Sequence, residues 1–296
     1  MEFTDSLQPS LSTQPSLSTA ATSITSDEQV PVVKFTTIKE LFQEINATSS
    51  DVLIVSDISP NDVNEIHRAR DEACRGFRLS YLEPSTKRLE ITIPNSPHEA
   101  AHGAIYAFIT HKMITMGLAS RWKVEGATRY TSTQNNNSEA ESDSAGKPIP
   151  DRPRNGWPTL VIEAGYSQSL ASLRSKMEWW FDASNHEVKI VLLVKANRVQ
   201  QSILIERWEE GPSTAPRPGA TTTRSVTSTI GPNCRQEITI TKDTSSSPPQ
   251  YQVNSTDLVL SFRLLFLREP GPQEGDIVVT TAELQLCAAQ IWYDVV

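Results

Sequence analysis

Two acids and a lysine in the middle of the chain have the residue types needed to bind a metal ion and cleave a phosphodiester. Asp151 lies in a polar segment, Glu163 ends a short apolar run, and Lys176 follows after a turn. Carboxylates on neighbouring strands supply the oxygen ligands that Mg²⁺ and Mn²⁺ prefer. A bound metal activates water, and a lysine can stabilise the oxyanion that forms. If the three side chains converge, they predict a metal-dependent nuclease site.

The same residues also fit an ordinary strand-turn-helix. In that interpretation Glu163 emerges at a strand end and caps the next helix, Asp151 is a loop acid beside two arginines, and Lys176 is exposed. Spacing alone favours this interpretation. Burial of Glu163 would favour the first one, because a carboxylate inside an apolar run needs a partner or a cation.

A second motif, His98-Glu99-Ala100-Ala101-His102, matches the HExxH pattern of zinc peptidases. Two histidines one helical turn apart can bind zinc, with the glutamate as general base. A third ligand is needed, and the extended motif is absent because apolar residues occupy its glycine and histidine positions. Glu125 is the nearest downstream candidate, on a predicted strand. The pattern therefore favours two partly buried histidines, and in a third interpretation Glu99 alone adds a carboxylate to the metal site.

Hydrophobic periodicity predicts the elements that position these residues. Apolar residues at helical spacing predict helices over 97–117 and 168–183, and short apolar runs predict strands over 160–163 and 188–194. This order predicts an α/β fold with a mixed sheet flanked by helices. Further predicted elements are helices over 36–47, 60–74 and 281–293, a hairpin over 77–93, and strands over 52–56, 121–130, 202–208, 258–267 and 277–280.

Composition predicts how the chain divides. Residues 1–33 are rich in Ser, Thr, Gln and Pro and are expected to be a disordered tail. Residues 34–210 are expected to form the core, interrupted by a low-complexity insert over 134–147. Residues 211–255 are expected to be a low-complexity insertion or linker, and 256–296 a C-terminal segment that packs on the core.

Charge and targeting signals limit the functional class. The net charge of −8 disfavours a protein that coats nucleic acid non-specifically, but it leaves a nuclease open because a metal can supply local positive charge. No run is apolar enough to span a membrane, and no secretory signal is evident. Cysteines are sparse and lack a CxxC pair. We therefore expect an intracellular protein, nuclear or cytoplasmic, of unspecified oligomeric state.

Several of these stretches, in this order, resemble the Uma-type family of candidate restriction endonucleases within the PD-(D/E)XK nuclease superfamily, in a divergent form found in many fungal genomes. The resemblance covers roughly Phe77 to Trp208. It is carried by Leu89-Glu90-Ile91-Thr92-Ile93-Pro94, His98-Glu99, Gly126-Ala127-Thr128, Pro150-Asp151, Pro158 to Ser167, Lys176 and Trp180.

The resemblance implies a restriction-endonuclease-like core that acts on DNA with Mg²⁺ or Mn²⁺. It implies Asp151 and Glu163 as metal-binding acids and Glu99 as a helix acid. Gly165 stands where the superfamily's E-x-K lysine would be, and Lys176 resembles the lysine that has moved to the next helix. Ser172 stands where the family often has an acid. A catalytically inactive descendant used for binding or scaffolding is the competing function, and a zinc peptidase is a remote one.

Overall fold

The computed structural model describes residues 30–132, 134, 137–212, 230–293 and 295. The strands are β1 (Val32–Lys34), β2 (Val52–Ser56), β3 (Arg78–Tyr81), β4 (Leu89–Thr92), β5 (Trp122–Glu125), β6 (Arg129–Thr131), β7 (Glu139–Glu141), β8 (Ser144–Pro148), β9 (Leu160–Gly165), β10 (Ile190–Asn197), β11 (Ser202–Pro212), β12 (Ile230–Asp243), β13 (Gln250–Val253), β14 (Leu258–Leu260) and β15 (Ile277–Val279). The helices are α1 (Ile38–Ala47), α2 (Pro60–Glu72), α3 (Ser96–Thr115), α4 (Leu170–Ala183), α5 (Phe262–Phe266) and α6 (Thr281–Ile291).

The structure has two large sheets, and the chain passes from the first to the second between β7 and β8. The first sheet has the order β1-β2-β4-β3-β7-β6, and the second has the order β13-β12-β11-β10-β9-β8-β5. In the second sheet β9 runs parallel to β10 and antiparallel to β8. The predicted mixed sheet flanked by helices is therefore confirmed.

Alternation along β9 assigns each of its side chains to one of two cores. Leu160 and Ile162 pack with α3 and α6 on one face. Val161 packs on the other face with the apolar stripe of α4, which includes Met177 and Trp180. Each buried aliphatic side chain of this kind stabilises the fold by about 1.5–3 kcal/mol. Because Glu163 shares the face of Val161, it lies beneath α4.

The helix α4 begins at Leu170, two residues after the predicted start. Ser169 is its N-cap, with a side chain that accepts a hydrogen bond from the Ser172 backbone N–H. A serine in this position satisfies an otherwise unpaired helix donor. The cap fixes the start of the helix, and with it the turn at which Lys176 faces the sheet.

Two segments expected to lie outside regular structure are part of the sheets. In the expected insert over 134–147, residues 139–141 form β7 and residues from 144 onward form β8, and both strands are buried. Much of the expected 211–255 linker forms the long pair β11–β12 and the strand β13. The prediction was wrong because it relied on polar composition, whereas these strands are held by backbone pairing with neighbouring strands. Residues 1–29 and 213–229 lie outside the described residues.

Other boundaries also differ from expectation. The single strand predicted over 121–130 is two strands, β5 and β6, in different sheets. The strand predicted over 258–267 is the short strand β14 followed by the helix α5. The described helices include none long and apolar enough to cross a membrane.

Candidate metal centre

Glu163 and Lys176 lie next to each other, as the nuclease interpretation requires. Glu163 on β9 and Lys176 on α4 are both 1% exposed. Lys176 Nζ lies 3.5 Å from Glu163 Oε2, and the Trp180 indole N–H donates to Glu163 Oε1 at 2.8 Å. Lys176 is therefore a buried partner of the strand acid, and the expectation that it could be a surface lysine is wrong.

Glu90 on β4, which the sequence did not single out, is the nearer partner of Lys176. Its Oε1 lies 2.6 Å from Lys176 Nζ. The Gln168 amide donates to the same oxygen at 2.8 Å, and the Ser172 hydroxyl donates to Glu90 Oε2 at 2.9 Å. The resemblance expects an acid at position 172. The serine found there instead hydrogen-bonds Glu90, an acid of the first sheet.

Asp143 supplies the acid opposite Glu163. Ser144 pairs with Ile162 at the start of β8, and continuing this register by one residue places Asp143 opposite Glu163. Residues opposite each other in an antiparallel pair have Cα atoms about 4.5–5.5 Å apart. The Ala164 N–H donates to Asp143 Oδ2 at 2.8 Å, which fixes the carboxylate at this strand end. Asp143 is buried.

Asp151 does not join this cluster. It is exposed, in the turn that follows β8, while Asp143 precedes the same strand. The five residues of β8 span roughly 15 Å and separate the two acids. The expected pairing of Asp151 with Glu163 on adjacent strands is therefore corrected to Asp143. Polar composition predicts an insert over 134–147, although Glu139, Glu141 and Asp143 alternate with period two as a strand does.

His98 on α3 bridges two buried acids. Its Nδ1 lies 3.2 Å from Asp51 Oδ2, and its Nε2 lies 3.1 Å from Asp143 Oδ1. Burial acts to lower the pKa of His98, but the two carboxylates raise it to about 9. The imidazole is therefore charged at neutral pH and holds the Asp143 carboxylate in place.

Asp51 ties this histidine to the end of β9. Its carboxylate accepts hydrogen bonds from the backbone N–H groups of Tyr166 at 2.9 Å and Ser167 at 2.7 Å. Burial acts to raise the pKa of Asp51, but His98 and these donors lower it to about 2. The start of β2, the start of α3 and the end of β9 are thereby joined at one point.

Glu99 lies at the rim of the cluster. Arg78 Nη1 is 2.9 Å from Glu99 Oε1 and 3.4 Å from Asp143 Oδ1, so the arginine links the two acids. The Glu99 side chain is 44% exposed. Burial acts to raise its pKa, but hydrogen bonds from His102 and Arg78 lower it to about 2. Glu99, the predicted helix acid, is therefore linked to Asp143 by Arg78.

The HEAAH residues come together, but their chemistry opposes zinc binding. One ligand atom from each of His98, Glu99 and His102 lies within 4.8 Å of the others. Zinc needs neutral imidazoles, and His98 is a charged bridge between carboxylates. His102 Nδ1 is 2.9 Å from the Ser144 hydroxyl. Glu125, the candidate third ligand, is bound by Lys123 and Lys147 instead.

The donor set fits a divalent cation held by oxygen. Glu163 Oε2 is buried with no hydrogen bond from any described residue. Burial raises the pKa of Glu163 to about 7; Lys176 opposes this rise, and Asp143 and Glu90 add to it. A carboxylate in this position gains a partner when a cation binds between Asp143 and Glu163. The residues present therefore suit Mg²⁺ or Mn²⁺.

Comparisons with known proteins include a weak structural similarity. No family model matches the sequence, and no curated protein matches it. A solved structure of a candidate nuclease belonging to DUF820 from Anabaena variabilis ATCC 29413 aligns with a TM-score of 0.33 and 15% identity, over 47% of this chain and 81% of that chain. The mixed α/β fold class is established by the strands and helices described above.

Proposed function

We propose that this protein is a metal-dependent nuclease that hydrolyses DNA phosphodiesters, with Asp143 and Glu163 as metal ligands and Lys176 as the catalytic lysine. The observation that carries the proposal is the position of Asp143 opposite Glu163 on the neighbouring strands, with Lys176 3.5 Å from the Glu163 oxygen that accepts no hydrogen bond from the described residues. We also propose membership of the Uma-type family, with Asp143 in the role that the resemblance gave to Asp151.

Each residue of the chain has a distinct part in this proposal. A bound Mg²⁺ or Mn²⁺ would supply Lewis acidity at the scissile phosphate and lower the pKa of a bound water. Asp143 and Glu163 would hold the ion. Glu90 aims the Lys176 ammonium, which donates hydrogen bonds to the phosphate oxygen on which charge develops. His98 fixes the orientation of Asp143, as partners of ligating carboxylates do.

We place the access to this centre at Glu99 on α3. Among the acids of the cluster, Glu99 has an exposed side chain, whereas Glu163 and Asp143 are buried. A substrate phosphate would displace Glu99 from Arg78 and leave the guanidinium free to bind it bidentately. In this proposal Glu99 would occupy Arg78 until the substrate binds, and it would also add a carboxylate near the metal.

Burial of the centre favours a second candidate function, that of a catalytically inactive nuclease fold used for binding or scaffolding. Lys176 is already paired with Glu90 at 2.6 Å and is fully enclosed. A lysine sealed in this way stabilises the join between the two sheets without any metal. The two candidates differ in whether the acids bind a cation.

DNA cleavage in the presence of Mg²⁺ or Mn²⁺ tests the proposal. Purified protein is incubated with supercoiled and linear DNA, and products are resolved on gels. We expect metal-dependent cleavage that Glu163→Gln and Lys176→Met each reduce by at least a hundredfold. Asp151→Asn serves as the matched control and should cleave like the wild type. No cleavage with either metal would favour the inactive fold, and cleavage that persists in Glu163→Gln would overturn the assigned site.

A further inference from the structure

A polar cavity lies beside the β5–β8 edge of the second sheet. Its volume is about 390 Å³, and its wall includes Lys123, Arg129, Lys147, Arg154 and Trp157. Lys147 is buried at its base, while Lys123, Arg129 and Arg154 are exposed. The cavity therefore combines a fixed cation at the base with three cationic side chains near solvent.

Positive charge in this cavity exceeds negative charge. Lys123 and Lys147 lie directly opposite each other in the β5–β8 pairing, an arrangement that like charges disfavour. Glu125 binds both, with Oε1 at 2.7 Å from Lys123 Nζ and 3.0 Å from Lys147 Nζ. One carboxylate thus serves two ammonium groups. Such an excess is unusual in a chain of net charge −8.

Arg129 and Arg154 add charge that the described residues do not neutralise. Neither arginine has a carboxylate partner among them. Lys147 Nζ donates to the backbone carbonyls of Arg154 at 3.0 Å and Gly156 at 2.7 Å. These two bonds anchor the loop that carries Arg154 against β8. The arginine is therefore presented from a fixed loop at the cavity mouth.

The cavity shares a sheet face with the proposed metal centre. Asp143 and Lys147 are four residues apart along the same strand direction, so their side chains point to the same side. Their separation along the strand is roughly 13 Å. Phosphates of one DNA strand repeat about every 3.4 Å of helix axis. The cavity is therefore a few nucleotides from Asp143.

We propose that Arg129, Arg154 and Lys123 in this cavity bind a backbone phosphate of the DNA strand, a few nucleotides from the phosphodiester at the metal centre. This assignment rests on the proposed nuclease function for its substrate. Guanidinium groups bind phosphate oxygens in pairs, and each such contact positions a strand without reading its sequence. The cavity would fix the register of the strand relative to Glu163.

Oligonucleotide binding without metal tests this site separately from cleavage. A labelled DNA oligonucleotide is titrated in EDTA, and its anisotropy is recorded at several salt concentrations. We expect Arg129→Ala/Arg154→Ala to weaken binding about tenfold and to reduce the salt slope by about 1.4–1.8, since each lost phosphate contact contributes about 0.7–0.9. Arg235→Ala/Arg263→Ala removes the same charge from exposed positions on β12 and α5 and should change affinity less than twofold.

Each outcome separates the two proposals. Equal losses in both double variants, or no loss in either, would overturn the phosphate site whatever the cleavage result. Loss confined to the cavity variant, in a protein that does not cleave DNA, would support the phosphate site and reject the nuclease. Inorganic phosphate is added as a competitor at matched ionic strength. Because phosphate competes for the same guanidinium and ammonium groups, it should weaken oligonucleotide binding by the wild type more than by the cavity variant. An equal effect on both proteins would overturn the phosphate site.

Discussion

Lys176 Nζ lies closer to Glu90, at 2.6 Å, than to Glu163, at 3.5 Å. The lysine is therefore drawn towards the first sheet, and one Glu163 oxygen is left without a hydrogen bond. Under the proposed function, Glu90 would in this way limit the competition between the lysine and a metal ion for Glu163.

Removing the charge of Glu90 should weaken metal binding. In Glu90→Gln the ammonium would move onto Glu163 and compete with the cation, so we expect Mn²⁺ affinity to fall by about tenfold, the lower end of the range for residues that support metal ligands. Isothermal titration of the two proteins measures the change. Glu65→Gln, an exposed position on α2, is the control. An unchanged affinity in Glu90→Gln would show that Lys176 does not compete with the metal.

Asp143 and Asp151 should respond differently to the same substitution. Asp143→Asn removes a proposed ligand and the partner of two cations, His98 and Arg78. We expect a loss of Mn²⁺ binding and a decrease of about 3–5 kcal/mol in the free energy of unfolding. Asp151→Asn should leave both quantities at their wild-type values. Titration calorimetry and urea denaturation measure them, and Mn²⁺ binding that depends on Asp151 would restore the original assignment.

The helices α3 and α4 and the strand β9 were predictable from apolar periodicity, whereas the place of Asp143 was not. Leu173, Met177 and Trp180 recur at helical spacing, and the apolar run before Glu163 marks a buried strand. β8 gives no such signal, since it is buried but built of small, polar and charged residues. Its position depends on pairing with β9, a long-range contact that no local pattern reveals. The same limit applies to Glu90, which meets Lys176 only because the two sheets come together.

Asp51 should make the protein sensitive to acid. Its pKa is lowered to about 2 in the folded protein from an ordinary value of 3.8, so its contribution is present above about pH 4 and is lost as the pH falls towards 2. A shift of this size corresponds to about 2 kcal/mol. Asp51→Asn should lower stability at pH 7 and show a shallower loss between pH 4 and 2 than the wild type. Urea denaturation at several pH values measures both effects.

The matched control for this prediction is Asp182→Asn, an exposed position on α4. It should reproduce the wild-type pH dependence. Parallel curves for Asp51→Asn and the wild type would show that Asp51 is not the group responsible.

Zinc should not be retained by the HEAAH residues. Both ring nitrogens of His98 already face carboxylates, Nδ1 that of Asp51 and Nε2 that of Asp143, so a zinc ion would have to displace one of these acids. We expect elemental analysis of protein purified without chelator to find far less than one zinc per chain, with His102→Ala equal to the wild type. Stoichiometric zinc that disappears in His102→Ala would revive the peptidase interpretation.

Gly146 on β8 should not tolerate a side chain. A Cβ atom there would lie 2.4 Å from the Trp122 ring and 2.5 Å from the Tyr106 hydroxyl. We expect Gly146→Ala to lower the free energy of unfolding by about 1–3 kcal/mol through overpacking. Gly103→Ala on α3, where a Cβ meets nothing within 4 Å, should instead raise it by about 1 kcal/mol because alanine favours helix. Equal effects of the two substitutions in denaturation would contradict the packing described for β8.

The crossing from β7 to β8 makes Asp143 a joint between the two sheets. Glu90 belongs to one sheet and Glu163 to the other, and Asp143 lies where the chain passes between them. A cation held by Asp143 and Glu163 would therefore act as a clamp on the relative position of the sheets. Movement of either sheet would in turn alter the spacing of the acids. Metal binding would then make the arrangement of the two sheets more rigid, and a more rigid arrangement would in turn favour metal binding.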